Sequence, residues 1–443
     1  MESGNASAYL PFMSSVLDSL TNHERDLRGL VPDFERGFRR FASAVRASGS
    51  PQLNVAAGHV VGSKGKGSVA HILSSLIRTV LTGPVGLYTS PHLISIRERI
   101  RLDDASIPGR ELERLARSVL RDAPGLSWFE CLTLCAFRFF SDKKAAFAVY
   151  EAGLGGRLDA TNVVKPRFVV LTPIEREHED VLGPGLANIA REKLAVIKPG
   201  VPVFMFRQTR LVERMAEAVC RKNGCRLYKE GQDWYVRIVE SSVDGIRFVF
   251  HDRLTGESRQ VSSPMPSPVQ ARNIGLGIFL VGKMFPGFSW IRAESALASL
   301  TVPGRFQILS RSPLRVFDPC HTPSSFRRFI EAWKRLVPSP RSDLVIFLMK
   351  DKKTSAIIRL ARKAGFRRIF WADLRHPRAG DPIEIDPKMR ILDRESFREF
   401  WLKVPRAVAA VGSFYLAGWL QGIGRTGINT RRSASRKRPS SGR

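Results

Sequence analysis

Apolar residues recur along the chain in alternating rhythms. Over residues 8–47 they fall at helical spacing, led by Leu10, Met13, Leu17 and Leu20. A Ser-Gly-Ser-Pro turn at 48–51 closes that region. Residues 53–61 read as a buried strand, 62–67 as a glycine-rich turn, and 68–81 as a helix with Ile72, Leu73, Leu76, Ile77 and Val80 on one face. Strands follow at 85–88, 145–150, 168–174 and 201–206, with helices at 109–122, 128–140 and 185–197. Apolar strands alternating with helices predict an α/β fold whose parallel sheet is covered on both faces. Residues 226–262 change to period two around the turn Asp244-Gly245, which predicts a small β-rich insertion. Helices at 269–285 and 291–300 lead into a hinge at Val302-Pro303-Gly304. A second α/β pattern then begins, with strands near 314–318, 344–349, 368–371 and 407–411.

A chain of 443 residues predicts two or three domains. With 43% hydrophobic and 25% charged residues it can bury sizeable cores. The net charge of +30 is the unusual property. Arg425, Arg431, Arg432, Arg436, Lys437, Arg438 and Arg443 lie in an Arg/Ser/Gly-rich tail, 424–443, expected to be disordered, and the body still carries +23. Such a body attracts nucleotides, polycarboxylates, nucleic acid or anionic membranes, although a proteome-wide arginine bias explains it equally well. No stretch reaches the roughly 18 apolar residues of a membrane span. The five cysteines are odd in number and no secretion signal opens the chain, so a reducing cytoplasm is expected. Cys131 and Cys135, spaced i, i+4, read as core, and Cys220 and Cys225 lack a second metal-type pair.

Chemistry concentrates where strands end. Gly62-Ser63-Lys64-Gly65-Lys66-Gly67-Ser68 lies between a strand and a helix, where glycines let the backbone approach phosphate and the helix N-terminus favours anions. Lys66 can reach outer phosphates, and Ser68 can bond phosphate or reach a metal. The spacing departs from the standard phosphate loop because Gly67 separates lysine from serine. Ser90 in Thr89-Ser90-Pro91-His92-Leu93, Glu151 at the end of the 145–150 strand and His178 in a charged run occupy similar strand-end positions, suited to a metal.

These motifs, with the run Glu151-Ala-Gly-Leu-Gly-Gly-Arg-Leu-Asp-Ala-Thr-Asn162 and Ala190-Arg191-Glu192-Lys193, resemble the folylpolyglutamate synthase and dihydrofolate synthase family of Mur-type ligases. The resemblance continues at Pro303-Gly304-Arg305-Phe306, Asp318-Pro319-Cys320-His321, Asp351-Lys352 and Gly412–Leu416. It implies an N-terminal P-loop-type ATPase domain over 1–300 that carries the insertion, and a smaller Rossmann-like domain over 301–423. It also implies an ATP-dependent ligase that joins L-glutamate to a folate or to dihydropteroate through an acyl phosphate. In that scheme Lys66 and its loop bind ATP, Gln270 and Asn273 contact the nucleotide, and Arg305, Asp318 and His321 reach it from the second domain. Ser90, Glu151 and His178 match the ligands of two Mg2+ ions, and Lys193 matches a lysine that carries a carbamate in related ligases. Lys66, Glu151, His178 and Lys193 are thus the catalytic set, and Trp128-Phe129-Glu130 resembles a stretch near the pterin.

Departures from the family pattern stand at Lys64 (usually asparagine), Glu177 (aspartate), Val269 (histidine), Ile274 (a small residue), Pro319-Cys320 (Gly-Ala) and Thr322 (asparagine). Two other readings remain open: a related ligase with another carboxylate acceptor, and a non-catalytic nucleotide or nucleic-acid binder. No RNA- or DNA-binding motif is visible, so no specific nucleic-acid partner is expected, and no membrane. Nothing suggests a self-complementary patch, and a monomer is expected.

Overall fold

The computed structural model describes Leu17, Leu20 and residues 34–337, 341–350, 352–386, 388–420 and 422–423. Leu10, Met13, Asp351 and the 424–443 tail lie outside the described residues. The chain divides into two compact units, parting between Val302 and Pro303.

The first unit opens with α1 (Phe34–Ala47), whose Phe41 and Val45 are buried. Strands β1 (Ala56–Val61) and β2 (Val85–Tyr88) flank α2 (Lys66–Ile77). β3 (Ile100–Leu102), β4 (Ala105–Ser106), α3 (Gly109–Asp122), α4 (Trp128–Asp142), β5 (Phe147–Glu151) and β6 (Pro166–Leu171) follow. Next come α5 (Glu179–Leu182), α6 (Leu186–Leu194), β7 (Val203–Met205), α7 (Arg210–Lys222) and β8 (Leu227–Lys229). These eight strands form one sheet in the order β4-β3-β2-β5-β1-β6-β7-β8. The six from β2 to β8 are parallel, and β3 and β4 add an antiparallel edge that the helix–strand rhythm did not reveal. β5 and β6 flank β1 on opposite sides, so a crevice opens at the carboxyl end of β1.

A hairpin sheet, β9 (Trp234–Ser242), β10 (Gly245–Asp252) and β11 (Ser258–Ser263), is followed by α8 (Pro268–Met284) and α9 (Trp290–Ala298). Alternate residues Ile246, Phe248 and Phe250 of β10 are buried in the cluster that holds Ile274, Phe279 and Leu280 of α8 and Ile72 and Leu76 of α2. Helix α8 is apolar nearly all round because it is covered on both sides. The expected insertion is therefore shorter than 226–262. Residues 227–229 belong to the main sheet, where Tyr228 stacks on Phe204 at 4.9 Å. Helix α7, absent from the periodicity of the chain's longer apolar runs, rests on a sparse stripe in which Val212, Ala216 and Cys220 repeat every fourth residue and are buried. Cys131 and Cys135 are core residues, and all five cysteines are free thiols.

The second unit runs β12 (Gln307–Arg311), β13 (Leu314–Asp318), α10 (Pro323–Leu336), β14 (Asp343–Phe347), α11 (Thr354–Ala364), β15 (Arg368–Ala372), α12 (Pro382–Ile385), β16 (Arg390–Leu392), α13 (Arg394–Lys403) and β17 (Val408–Gly412). Its sheet order is β12-β13-β17-β14-β15-β16, parallel except for β12. The short edge strands β12 and β16 carried no clear apolar run. Among the described residues no helix is long and apolar enough to cross a membrane.

One buried cation ties this unit together. Arg315, 3% exposed, donates to the carbonyls of Trp401 (2.7 Å), Arg406 (2.6 Å) and Val404. These are the end of α13 and the entry to β17. Burial pushes its guanidinium down to about 10, still charged at neutral pH. Arg315→Met leaves those carbonyls unpaired and is expected to cost about 3 kcal/mol, read as a lower urea midpoint for this unit. An unchanged midpoint would show that the bonds are dispensable.

Candidate active site

Gly62 leaves β1 at φ 146° and packs against Thr172 at the end of β6, where a Cβ would lie 2.1 Å from Thr172 Oγ1 and 2.7 Å from its carbonyl. Only glycine fits there. The loop is then stitched to the segment after β6. The amides of Ser63 and Lys64 donate to the Pro173 carbonyl at 2.9 and 3.2 Å, and Ser63 Oγ accepts from the Glu175 amide at 3.0 Å. Gly65, at φ 92°, starts α2, and no side chain caps that helix. The first-turn amides and the positive end of the helix dipole therefore face the crevice, a ready anion site.

Lys66 Nζ and Lys193 Nζ both donate to the carbonyl of Gly62, at 3.1 and 3.0 Å. Lys193, on α6, is 2% exposed. Burial, with Lys66 nearby, lowers its amine to about 8 despite the opposing pull of Glu177 and Asp159. Glu177 lies 3.0 Å from Lys64 Nζ and 3.5 Å from Lys193 Nζ. Burial alone would raise its carboxyl, but Lys64, Lys66 and Lys193 together hold it at about 2. The two departures at the loop, Lys64 and Glu177, are thus partners. His178 follows directly, in the left-handed region at φ 52°, and starts α5.

Across the crevice Glu151 ends β5, 3% exposed, and its Oε2 accepts the Ser90 amide at 2.9 Å. The same oxygen lies 3.1 Å from where a Cβ of Gly67 would be. Ser90, Glu151 and the first turn of α2 therefore converge. After Ser90, the amides of Leu93, Ile94 and Ser95 all donate to Glu98, which fixes that loop. Ser68 is buried and accepts from Gln270 Nε2 at 3.4 Å, and Asn273 Nδ2 donates to Gln270 Oε1 at 3.0 Å. Among the described residues, no group of three or more His, Cys, Asp or Glu side chains is placed to hold a metal ion. A magnesium ion bound there would have to draw most of its oxygens from a ligand and water, as this ion commonly does.

Most of the 151–162 run is scaffold. Buried Asp159 accepts from the amides of Leu154 and Thr161 and from the Thr161 hydroxyl at 2.6 Å, and that hydroxyl meets His59 Nε2 at 2.8 Å. Arg157 donates through its amide to the Glu192 carbonyl and through Nε to the Glu192 carboxylate. The run thereby clamps α6 next to Lys193. Trp128 is buried beneath the Arg99 guanidinium at 4.6 Å, and Glu130 caps α4 with Ser127.

In the second unit, Asp318 accepts from the amides of Phe306 and Cys320, both at 2.9 Å, and burial raises its carboxyl. Arg305 lies 4.6 Å over the Phe414 ring, and His321 Nδ1 donates to the Pro319 carbonyl at 2.8 Å. Thr322, another departure, caps α10. Ile274 is core, and nothing in the structure explains Val269. Glu177 is the site residue that sequence reasoning undervalued. Its signal was a carboxylate beside a lysine-rich loop.

A parallel α/β sheet with a glycine loop at its switch point, followed by a second, smaller α/β unit, defines the two-domain fold of Mur-type ligases. No protein-family profile matches the chain. A dihydrofolate synthase/folylpolyglutamate synthase from Bacillus subtilis is 29% identical over 370 residues, 77% of this chain and 82% of that protein. The crystal structure of a folylpolyglutamate synthase from Thermotoga maritima matches with a TM-score of 0.78 at 27% identity, covering 88% of this chain and 93% of the other. A Mycobacterium tuberculosis folylpolyglutamate synthase, solved in complex with ADP and AMPPCP, matches with a TM-score of 0.78 at 25% identity over 87% and 95% of the two chains. The resemblance to the folylpolyglutamate synthase and dihydrofolate synthase family extends over most of the chain, in sequence and in fold.

Glu177 yields a pH signature. It stays ionised in the folded protein down to about pH 2, whereas an unfolded glutamate takes its proton near 4.5. Its contribution to stability is complete above that ordinary value and is lost as pH falls toward 2. In urea titrations between pH 5 and pH 2, the wild type should lose more stability than Glu177→Gln. Parallel curves would refute this.

Proposed function

We propose that the protein is an ATP-dependent ligase that adds L-glutamate to a folate-type carboxylate. The observation that carries this reading is the convergence of Lys64, Lys66, Lys193 and an uncapped helix start on the carboxyl end of β1, with Glu151 opposite. Such a site suits a triphosphate, because phosphoryl transfer is catalysed mainly by positioning and by cancelling charge.

The acceptor carboxylate attacks the terminal phosphorus of ATP, ADP leaves, and an acyl phosphate forms. The amine of glutamate then attacks the acyl carbon, loses a proton, and expels phosphate to leave an amide. Lys66 and the loop amides hold the transferring phosphoryl group. Holding amine and acyl carbon together supplies the remaining advantage. Ser90 Oγ and Glu151 would hold one Mg2+ with nucleotide oxygens and water, and the ion would neutralise charge on the phosphates.

Lys193 has the properties of an amine that takes up CO2: it is buried, and its lowered value leaves roughly a tenth of it neutral near pH 7. Once a proton has left the ammonium, the neutral amine adds CO2 and loses a second proton to become an anionic carbamate, which with His178 would hold a second Mg2+. The free thiols fit a reducing cytoplasm, where the protein acts as a monomer.

Phosphate release from Mg–ATP should require glutamate and either dihydropteroate or a reduced folate monoglutamate. Lys66→Ala should lower it at least about a hundredfold. Folded protein that binds ATP yet releases nothing with either acceptor would sink the assignment. With 13C-labelled CO2, the wild type should show a carbamate carbon resonance that Lys193→Arg lacks. No resonance at saturating CO2 would leave Lys193 a simple amine.

A further inference from the structure

One carboxylate serves three lysines at the phosphate loop. Glu177 Oε2 pairs with Lys64 at 3.0 Å, Oε1 faces Lys193 at 3.5 Å, and Lys66 acts on the same group. The lysines differ in freedom. Lys193 is 2% exposed and pinned between Glu177 and the Gly62 carbonyl. Lys64 rises from the loop itself, its side chain is 19% exposed, and its ammonium has no other hydrogen-bond partner among the described residues. It is the cation that can change partners.

Building on the reading that this loop takes ATP, we propose that Glu177 is an internal stand-in for nucleotide phosphate. In the nucleotide-free protein its carboxylate holds Lys64. The incoming triphosphate takes Lys64 from it, one anion replacing another. Glu177 then remains beside Lys193 and keeps a counter-charge on its amine until CO2 adds to it. ATP affinity is set by this competition: Lys64 raises it and Glu177 lowers it. A merely structural Lys64–Glu177 bridge predicts a different pattern, since removal of either partner would loosen the loop and weaken binding alike.

The test is calorimetric titration of the full chain with Mg–ATP, after thermal unfolding has shown each variant to be folded. Glu177→Gln should bind about tenfold more tightly, Lys64→Gln about tenfold more weakly, and Lys64→Arg within about twofold of wild type. In the double variant, Glu177→Gln should bring no tightening, because no Lys64 remains to be released. Should Glu177→Gln fail to fold, Glu177→Asp decides by the same sign, its shorter arm holding Lys64 less well. Weaker or unchanged binding by the folded Glu177 variant, or wild-type binding by Lys64→Gln, overturns the exchange while the ATP reading stands. A wild type that binds no Mg–ATP overturns both.

Discussion

The carbonyl oxygen of Gly62 accepts two ammonium groups, and the geometry of the phosphate loop depends on that shared acceptor. It stands at the carboxyl end of β1, between strands approached from opposite directions, so its position is set by the whole sheet. One lysine comes from the helix that follows the loop and the other from α6. The carbonyl draws both to one point, and Glu177 keeps the like charges from driving the loop apart. Buried charges without such partners would cost more than the local packing returns.

The same logic explains why the longest recognisable run of residues carries so little direct chemistry. Between Gly153 and Asn162 the side chains mostly bond to one another and to α6, and they fix the distance from Glu151 to Lys193. A carboxylate at a strand end and an amine on a helix can act on one substrate only if that distance is rigid. Arg315 does comparable work in the second unit, where it joins a helix end to a strand entry.

Strand and helix rhythm located the parallel strands at β1, β2, β5, β6 and β7 within a few residues, because buried parallel strands are continuous apolar runs. It failed at β3, β4, β12 and β16, strands at or next to a sheet edge in which Ile100 alone is fully buried. It also failed at α7, whose charged residues obscured a sparse apolar stripe. In the site, Lys66, Glu151 and Lys193 were legible from position and resemblance. The Lys64–Glu177 pair was not: two residues 113 apart looked like separate anomalies, and only three-dimensional proximity makes them one change.

The hairpin sheet and α8 bear on how the protein is made. Ser68 and its partner Gln270 are 202 residues apart, and the apolar side of α2 is closed only when α8 arrives. At about 5–20 residues per second, a ribosome takes roughly 10–40 s to cover that interval. Throughout it the nascent chain carries α2 as a greasy, unroofed helix. Synthesis thus includes an interval in which an apolar face that the folded protein buries is open to aggregation.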